Sequence, residues 1–468
     1  MFPAILTEAC DGMSRLTALC AVVVLIPCSA AAQSNLAAAI DAIVEAPIKA
    51  GRVAGASVAV VRGNETIVER SYGLADLQLD VPTPERAIYE IGSVTKQFTA
   101  AAILLLAEAG QLSLDDELTK FLTDYPTHGH RITIRHLLNH TSGIRGYSEL
   151  AEFGEVMMLK KPKQEVVKLF SSQPFDFAPG EDLIYNNSAY FLLGLIIEQV
   201  SGLSYADFVK SRLFDKIGMR DSSYCSERVI QKNKVQGYDT ANGRLVLKAY
   251  LDHSWPYAAG SLCSTAHDLV LWNRALHGGH VLTAASYRAM TMPDRLNDGT
   301  EIRYAMGLAV LNTAGRRIIG HGGGINGFLS HVEYYPAEDL TVVVLFNTTG
   351  PVNPQPIARD ISDAVLGKPA IVHRRYDGEV SVFAGTFTGR GRGHATQVSI
   401  EARGKELHFL GGIGPVTDER LDYLGNDTFG FKDTLLLFRR DGGTVSSVRL
   451  DTVAGNVRLV RAPVGLSR

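Results

Sequence analysis

The sequence predicts a mixed α/β (α+β) fold. One antiparallel sheet is flanked by helices with a helical subdomain, and a small all-β, barrel-like domain follows. Strand patterns occur at 53–71 and again at 304–346, with helical patterns between them, which favours one sheet covered by helices. From about residue 376, short strand patterns alternate with turn signals, as in a barrel or meander. We therefore predict domains at 33–371 and 372–468.

Each element is predicted from its apolar spacing and its end signals. Helical spacing with N-cap residues and terminal glycines predicts helices at 36–48, 98–109, 134–139, 188–200, 205–217, 266–276 and 356–366. Runs of β-branched and aromatic residues predict strands at 53–61, 65–71, 304–311, 316–319, 328–335, 340–346, 382–387, 396–400, 406–410, 435–439, 445–450 and 457–461. The first helix is expected to begin at Ser34 or Asn35. The helix at 98–109 is apolar on nearly all sides, so we expect it to be buried.

The segment 1–32 has the anatomy of a secretory signal peptide. An apolar stretch at 16–26 follows Arg15, and alanines at the end of the segment offer a cleavage site. Met13 is the better start, because acidic residues precede it. A retained membrane anchor is the alternative, although the stretch is short for a span. We expect a secreted or periplasmic protein with no transmembrane segment in its mature chain.

The composition indicates a globular protein that acts on a small molecule or peptide. The 468 residues are 46% hydrophobic and carry a formal net charge of −3. No basic stripe indicates nucleic-acid binding, and nothing indicates an oligomeric state. Cys225 and Cys263 lie beyond the signal segment. In an oxidising compartment they form a disulfide or remain buried thiols, and the sequence leaves both open.

Ser93 and Lys96 are the first catalytic candidates. They are three residues apart where the helix at 98–109 begins, so their side chains share one helical face. A neutral amine can accept the proton of a neighbouring hydroxyl, and a helix N-terminus favours developing negative charge. Burial would lower the pKa of Lys96 and keep its amine neutral. The spacing alone is common on exposed helices, so the assignment depends on other motifs.

Tyr185 and Asn187 form the second candidate site. They lie just before the helix at 188–200, after a proline-glycine turn at 179–180. A tyrosine near a lysine can serve as general base or acid, and an asparagine can hold a substrate amide. Taken alone, the pattern also fits a packed tyrosine and a capping asparagine.

His321 and the three glycines after it form the third candidate site. Gly323 and Gly324 would allow a ligand to approach the backbone, whose N–H groups can bind an oxyanion. The glycine spacing also matches a dinucleotide fingerprint, but no βαβ unit surrounds it. The oxyanion loop of an α/β-hydrolase would need a G-x-S-x-G elbow downstream, and the sequence has none there.

Four histidines cluster in the sequence at His128, His130, His136 and His140. The last two have helical i,i+4 spacing, but the H-E-x-x-H pattern of a zinc site is not present. We therefore expect structural roles for them, and we predict neither a metal site nor another cofactor.

These motifs together resemble the serine β-lactamase and penicillin-binding protein superfamily. The block at 132–144 (ITIRHLLNHTSGI) is similar to the branch that holds class C β-lactamases, D-aminopeptidases, DD-carboxypeptidases and related esterases, as are the blocks at 177–202 and 259–269. The resemblance covers roughly 36–366 and implies a DD-peptidase/β-lactamase-like fold. The all-β tail resembles the lipocalin-like C-terminal domains of some members.

The resemblance implies a role for each matching residue. Ser93 would be the nucleophile that forms an acyl-enzyme, and Lys96 its proton acceptor. Tyr185 would be the second proton carrier and the base for deacylation, and Asn187 would position the substrate amide. Backbone N–H groups of Ser93 and Gly324 would form the oxyanion hole.

The chain departs from class C β-lactamases at His321. Those enzymes carry Lys-Thr-Gly where this chain has His321, Gly322 and Gly323. Their lysine supplies a fixed positive charge, whereas His321 would supply one only when protonated. If that charge is needed, activity should fall as pH rises through the pKa of His321. The H-x-G version is similar to D-aminopeptidase and esterase members, so β-lactams are expected to be poor substrates.

The sequence therefore predicts a secreted serine hydrolase that works through an acyl-enzyme on Ser93. The expected substrates are small esters, D-amino-acid peptides or amides, and β-lactams only poorly. One alternative is a slow penicillin-binding or sensor protein whose acyl-enzyme does not turn over. Another is a true class C-like β-lactamase. The presence of both Lys96 and Tyr185 favours turnover.

Overall fold

The computed structural model describes residues 28–370, 374–411 and 417–463. The apolar stretch at 16–26 and the boundary at 371/372 lie outside these residues. The signal peptide and the domain boundary therefore stay predictions.

The described helices include every one that the sequence predicts. They are α1 (Cys28–Lys49), α2 (Thr95–Glu108), α3 (Ile134–Leu138), α4 (Phe153–Val156), α5 (Lys163–Ser171), α6 (Asn187–Ser201), α7 (Tyr205–Val209), α8 (Asp215–Ile217), α9 (Tyr257–Gly260), α10 (Ala266–His277), α11 (Ala284–Thr291) and α12 (Pro354–Leu366). A π-helical segment, Lys210–Phe214, joins α7 to α8.

The described strands form one large sheet, a barrel and two small sheets. They are β1 (Gly55–Arg62), β2 (Glu65–Asp76), β3 (Val81–Pro82), β4 (Tyr89–Glu90), β5 (Leu183–Ile184), β6 (Ser223–Tyr224), β7 (Tyr238–Ala241), β8 (Arg244–Leu247), β9 (Leu262–Ser264), β10 (Ala309–Thr313), β11 (Arg316–Ile325), β12 (Phe328–Tyr335), β13 (Leu340–Phe346), β14 (Gly385–Gly391), β15 (His394–Arg403), β16 (Glu406–Gly411), β17 (Glu419–Gly425), β18 (Thr428–Phe431), β19 (Thr434–Asp441), β20 (Thr444–Thr452) and β21 (Gly455–Arg461).

The large sheet is antiparallel and joins the two ends of the larger domain, as predicted. Its order is β10-β11-β12-β13-β1-β2-β3, with Val58 of β1 opposite Val344 of β13. Both central strands are rich in β-branched residues because both of their faces are buried. Helices α1 and α12 pack on one face, and α10 packs on the other.

Helix α2 is the central helix of the larger hydrophobic core. Eleven of its residues are buried, and it packs against α6 and α9. The expectation of an almost fully buried helix is confirmed. This position removes Lys96, on its first turn, from water.

The C-terminal strands form a closed antiparallel barrel. Strands β14 to β21 pair in sequence order, and β14 pairs back with β21. Strand β21 also pairs with β5 of the larger domain, where Gly455 lies opposite Ile184. The barrel is therefore hydrogen-bonded to the segment that precedes Tyr185.

Several predicted boundaries are wrong, for local reasons. Helix α1 begins at Cys28 rather than at Ser34 or Asn35, because the alanines before them favour a helix. The strand predicted at 304–311 begins only at Ala309, since Gly307 has a φ of 73°. Residues 380–383 form a 3-10 turn and not the start of a strand. Strands β17 and β18 were not predicted. The strand predicted at 316–319 continues to Ile325, so the glycines after His321 lie inside β11.

A disulfide joins Cys225 and Cys263, so the structure selects the first of the two alternatives that the sequence left open. Among the described residues, no single helix has both the length and the apolar character needed to cross a membrane. One sharply bent pair, α6 with the α7–α8 stretch, meets the length and composition criteria together.

Candidate active site

Ser93 lies on a single 3-10 turn, Gly92–Val94, that leads directly into α2. Gly92 has a φ of 50°, and a Cβ atom there would lie 2.9 Å from the nitrogen of Gly324. Only glycine combines this conformation with so close an approach. The turn therefore holds Ser93 between the first turn of α2 and strand β11.

The contacts of Lys96 fit a neutral amine. Its Nζ lies 2.8 Å from Asn187 Oδ1, 2.8 Å from the carbonyl of Ala259 and 3.1 Å from Ser93 Oγ. A neutral amine has two N–H donors and one lone pair. The two N–H groups can donate to the amide and carbonyl oxygens, which leaves the lone pair for the hydroxyl proton of Ser93.

The surroundings of Lys96 favour the same protonation state. The side chain is fully buried, and burial lowers the pKa of Lys96 well below its ordinary value. It forms no ion pair with any residue that the structure describes. An amine that is desolvated and lacks a counter-ion is neutral over a wider pH range, and it can act as a base toward Ser93.

Tyr185 lies across the site from Lys96, with its ring centroid 4.7 Å from Lys96 Nζ. Burial raises the pKa of the Tyr185 hydroxyl, and the nearby Ser93 works in the opposite direction. The phenol is therefore protonated at neutral pH. Its oxygen is buried and has no hydrogen-bond partner among the described residues. Such a group is costly unless a ligand or a reacting atom uses it.

Two neighbours fix the position of Tyr185. The ring of His140 packs at 4.4 Å between centroids, and His140 Nδ1 accepts a hydrogen bond from the Asn186 N–H at 3.1 Å. Burial holds the pKa of His140 well below its ordinary value, so this ring is neutral. On the backbone side, the Tyr185 N–H donates to the carbonyl of Ala454 in the barrel, at 2.9 Å.

Asn187 is placed differently from the expectation. Its Oδ1 accepts from Lys96, and its Nδ2 donates to Ser148 Oγ at 3.1 Å. Both ends of the amide are thus used inside the protein, and Asn187 orients the lysine. Contact with a substrate amide stays a prediction, and it would require Nδ2 to leave Ser148.

Strand β11 presents an open edge to Ser93. Its pairing with β10 ends where Ala309 lies opposite Gly320, so residues 321–325 have no strand partner on that side among the described residues. A Cβ atom at Gly323 would lie 2.1 Å from the carbonyl oxygen of Ile91, so this glycine serves close packing. Gly324 has more room, and its N–H remains the candidate for the oxyanion hole.

His321 does not supply the positive charge that the lysine at this position supplies in class C β-lactamases. Burial, with a smaller contribution from Lys96, lowers the pKa of His321 to about 3. Its Nε2 accepts from the Tyr304 hydroxyl at 2.9 Å, and its Nδ1 donates to the carbonyl of Gly322. This arrangement fixes a neutral tautomer. The expected fall of activity as pH rises through the pKa of His321 therefore loses its basis.

A cavity of about 330 Å³ opens at the site. Ser93 and Tyr185 line one part of it, and the three glycines after His321 line another. Val453 and Ala454, from the hairpin between β20 and β21, also line it. The barrel thus contributes directly to the cavity wall.

Sequence reasoning missed several residues of the site, namely Ser148, Ala259, Tyr304, Val453 and Ala454. Ala259 and Ala454 act through their backbone carbonyls, which leave no side-chain signature. Ser148 lies on a single 3-10 turn, Tyr147–Glu149, and Tyr304 lies before strand β10, and both are remote in sequence from the groups they contact. Among the predicted residues, the structure brings Ser93, Lys96, Tyr185, Asn187, His321, Gly323 and Gly324 together.

The arrangement of these groups defines a class of protein. A serine beside a buried neutral lysine, with a protonated tyrosine across from it, is the machinery of a serine hydrolase that acylates its own nucleophile. The beta-lactamase family model matches residues 40–366, and the chain belongs to this family.

The chain is similar to characterised members of this family. It is 30% identical to penicillin-binding protein 4* of Bacillus subtilis over 68% of this chain and 74% of that protein. It is 27% identical to a D-aminopeptidase of Brucella anthropi over 85% and 74% of the two chains. The crystal structure of a D-stereospecific amidohydrolase from Streptomyces sp. superposes with a TM-score of 0.61 and 26% identity, over 71% of this chain and 99% of that one.

Proposed function

We propose that this serine hydrolase cleaves small esters and amides through an acyl-enzyme on Ser93. The contact set of Lys96 carries the proposal, because two acceptors and one hydroxyl around a buried amine match the needs of a general base. Tyr185 adds a protonated hydroxyl with no partner among the described residues, which is available to the reaction.

In the first half-reaction, Ser93 Oγ attacks the substrate carbonyl while its proton passes to Lys96. The negative charge on the carbonyl oxygen is stabilised by the N–H groups of Ser93 and Gly324. Collapse of this intermediate breaks the bond to the leaving group. A proton from Lys96 or Tyr185 neutralises that group, and the acyl group stays on Ser93.

In the second half-reaction, a water molecule replaces the leaving group. The group that gave its proton away now accepts one from the water, which attacks the acyl carbonyl. The bond to Ser93 Oγ then breaks, the acid is released, and the serine regains its proton. Both half-reactions need one neutral base and one protonated partner near Ser93.

The proposed substrates are small esters and the amides or peptides of D-amino acids. The names of the D-aminopeptidase and D-stereospecific amidohydrolase relatives support the D-configured amides. We propose that β-lactams turn over slowly, because neutral His321 leaves the carboxylate of such a substrate without a fixed cation from this position. A penicillin adduct that persists would instead favour the alternative of a penicillin-binding sensor.

We further propose that the protein is exported, as the signal pattern at 1–32 indicates. The disulfide between Cys225 and Cys263 supports this proposal, since disulfides persist in oxidising compartments. The domain division at 371/372 is also retained as a proposal.

A substrate panel tests the proposed function. The mature protein would be assayed with p-nitrophenyl acetate, the amides of D- and L-alanine, and a chromogenic cephalosporin. We expect ester hydrolysis, a preference for the D-amide and slow cephalosporin turnover. Ser93→Ala should abolish all three, whereas Ser211→Ala, an exposed serine on the π-helical segment, should not. Ester hydrolysis that survives in Ser93→Ala would contradict the proposal.

A further inference from the structure

The cavity continues from Ser93 along one face of the large sheet. In an antiparallel pair, residues directly opposite each other share a face. Gly320, Gly322 and Gly324 therefore share a face with Leu329 and its alternate neighbours on β12. The cavity touches all three glycines, which border a channel about 13 Å long at the usual rise of a strand. Gly322 and Gly324 leave open space on this face, whereas a Cβ atom at Gly320 would lie 2.1 Å from the carbonyl oxygen of Val332. We call this channel the glycine trough.

The surface of the glycine trough is mainly apolar, and the polar side chains of His331, Asn353 and Gln355 also line it. Leu311 and Ile318, which lie opposite each other on β10 and β11, form one side, and Leu329 lies near the Ser93 end. Val453, in the barrel hairpin between β20 and β21, also lines the trough. A straight hydrocarbon chain would bury apolar surface against these aliphatic side chains.

The far end of the trough is polar and ordered. The carboxylate of Glu333 accepts from His331 Nε2 at 2.8 Å, from Arg359 Nε at 2.6 Å and from the Tyr335 hydroxyl at 2.7 Å. Arg359 Nη1 donates to Thr313 at 3.1 Å. Arg359 Nη2 is buried and has no hydrogen-bond partner among the described residues. One N–H edge of a guanidinium is therefore left for an acceptor in the cavity.

We propose that the glycine trough binds the acyl group of the substrate, an unbranched aliphatic chain that ends in a hydrogen-bond acceptor. The inference rests on the proposed function. The leaving group must depart before water can attack, whereas the acyl group stays through both half-reactions. A channel roofed by the barrel and closed by Glu333 and Arg359 is suited to the group that stays. The acceptor at the chain end, a carbonyl or carboxylate oxygen, would take the free N–H of Arg359.

Chain-length selectivity tests this proposal. The parent enzyme should hydrolyse p-nitrophenyl hexanoate with a higher kcat/KM than the acetate. Gly322→Ala places a methyl group on the trough floor, 3.3 Å from His331 Nδ1, with no backbone atom nearer than 3.7 Å. It should lower the ratio of kcat/KM for the hexanoate to that for the acetate by about tenfold or more, whatever its effect on the absolute rate. Leu311→Phe, which narrows the trough from the side, should act in the same way.

The acceptor proposed at the end of the acyl chain is tested with three p-nitrophenyl esters. The monoesters of suberic acid and of suberic acid monoamide carry a terminal acceptor, and the octanoate, which has none, is the reference. Arg359→Lys keeps a cation beside Glu333 but removes the free guanidinium N–H, so it should remove the preference for the terminated chains. Arg317→Lys is the matched control, because that guanidinium donates to the carbonyl of Thr291 outside the trough. The carboxylate and amide arms show whether charge or a neutral oxygen is preferred. An equal kcat/KM for all chain lengths, or variants that lower every substrate equally, would overturn the proposal.

A binding measurement separates this proposal from the proposed function. Octanamide binding to Ser93→Ala, measured by calorimetry, needs no turnover. We expect binding that is lost when Gly322→Ala is added. If no ester is hydrolysed but octanamide binds in this way, the proposed function fails while the trough stands. If esters are hydrolysed and octanamide does not bind, only the trough proposal is overturned.

Discussion

Four titratable side chains meet around Ser93, and burial favours the uncharged form of each of them: Lys96, Tyr185, His140 and His321. Burial lowers the pKa of the lysine and of both histidines, and it raises the pKa of the tyrosine hydroxyl. Lys96 offers a lone pair to Ser93, and Tyr185 offers a proton, whereas the acceptor nitrogens of the two histidines are already used by Asn186 and Tyr304. Before any proton moves, a site built from neutral groups avoids the cost of holding an ion away from water.

The pH dependence of ester hydrolysis follows from these pKa directions. Protonation of Lys96 removes the lone pair that faces Ser93, so kcat/KM should fall about tenfold per pH unit below the lowered pKa of Lys96. Above the pKa of Lys96, kcat/KM should be independent of pH, and it should not decline until the pH approaches the raised pKa of Tyr185. Stopped-flow or steady-state assays across pH measure this limb. If kcat/KM instead declined as pH rises from mildly acidic to neutral, the reaction would require a protonated group.

His321→Gln is the matched control for that profile. Glutamine can accept from Tyr304 but cannot ionise. Because His321 is neutral above about pH 3, the acid limb should keep its midpoint in this variant, whatever the absolute rate. A shift of the limb would mean that His321 titrates in the working range.

At the scale of elements, the 3-10 turn that carries Ser93, Gly92–Val94, packs directly against strand β11. Ser330 Oγ donates to the carbonyl of Ile91 at 2.7 Å, which ties β12 to the turn that carries Ser93. Gly92 and Gly323 remove the side chains that would separate them. The glycines after His321 therefore set the distance between Ser93 and the N–H of Gly324, the proposed oxyanion donor, in addition to leaving room for a ligand.

Two neighbouring glycines make this testable. Gly323→Ala would place a Cβ atom 2.1 Å from the carbonyl oxygen of Ile91, whereas Gly324→Ala meets nothing nearer than Leu329 at 3.4 Å. We expect Gly323→Ala to lower kcat by about 10- to 100-fold through displacement of β11, and Gly324→Ala to lower it much less. Circular dichroism would verify the fold of both. Equal losses would contradict the packing role of Gly323.

The helices and their capping residues were the most predictable features of the fold. Thr133 and Ser204 are N-caps and Gly202 is a C-cap, and neighbouring residues in the sequence signal such helix ends. The strand start at Ala309 could not be predicted, because Gly307 is held by tertiary contact with the backbone of Lys96. The role of Asn187 was equally hidden, since its partner Ser148 is remote in sequence.

At the scale of the whole molecule, the barrel acts as a support for Tyr185, the proposed second proton carrier. It is hydrogen-bonded to the segment that carries Tyr185, and its hairpin lines the cavity. The sequence indicated an all-β tail but gave no sign of this contact. The contact is made by backbone groups and by charged residues, such as Arg449, that look like ordinary surface charges in sequence.

Arg449 provides the test of that support. It is almost fully buried, and it donates to Asp182 at 2.6 Å and to Asp298 at 2.9 Å in the larger domain. Arg449→Met should lower the free energy of unfolding by about 3 kcal/mol, because it leaves a partly buried carboxylate without its partner. It should also lower kcat. Thermal unfolding and ester assays measure both effects.

Arg420→Ala is the control for the Arg449 variant. Arg420 forms ion pairs with Glu406 and Asp422 on the exposed surface of the barrel. Such pairs contribute about 0–1 kcal/mol, so stability and kcat should change little. Equal behaviour of the two variants would mean that the contact between barrel and larger domain does not support the site.

The most direct test of the central claim is the intact mass of the protein after exposure to a fluorophosphonate, at neutral pH and without denaturant. We predict a single adduct that peptide mapping assigns to Ser93, formed in the parent, slowed about a thousandfold in Lys96→Met and absent in Ser93→Ala. An adduct on another residue, or undiminished labelling of Lys96→Met, would contradict the assignment of Ser93 as nucleophile with Lys96 as its base.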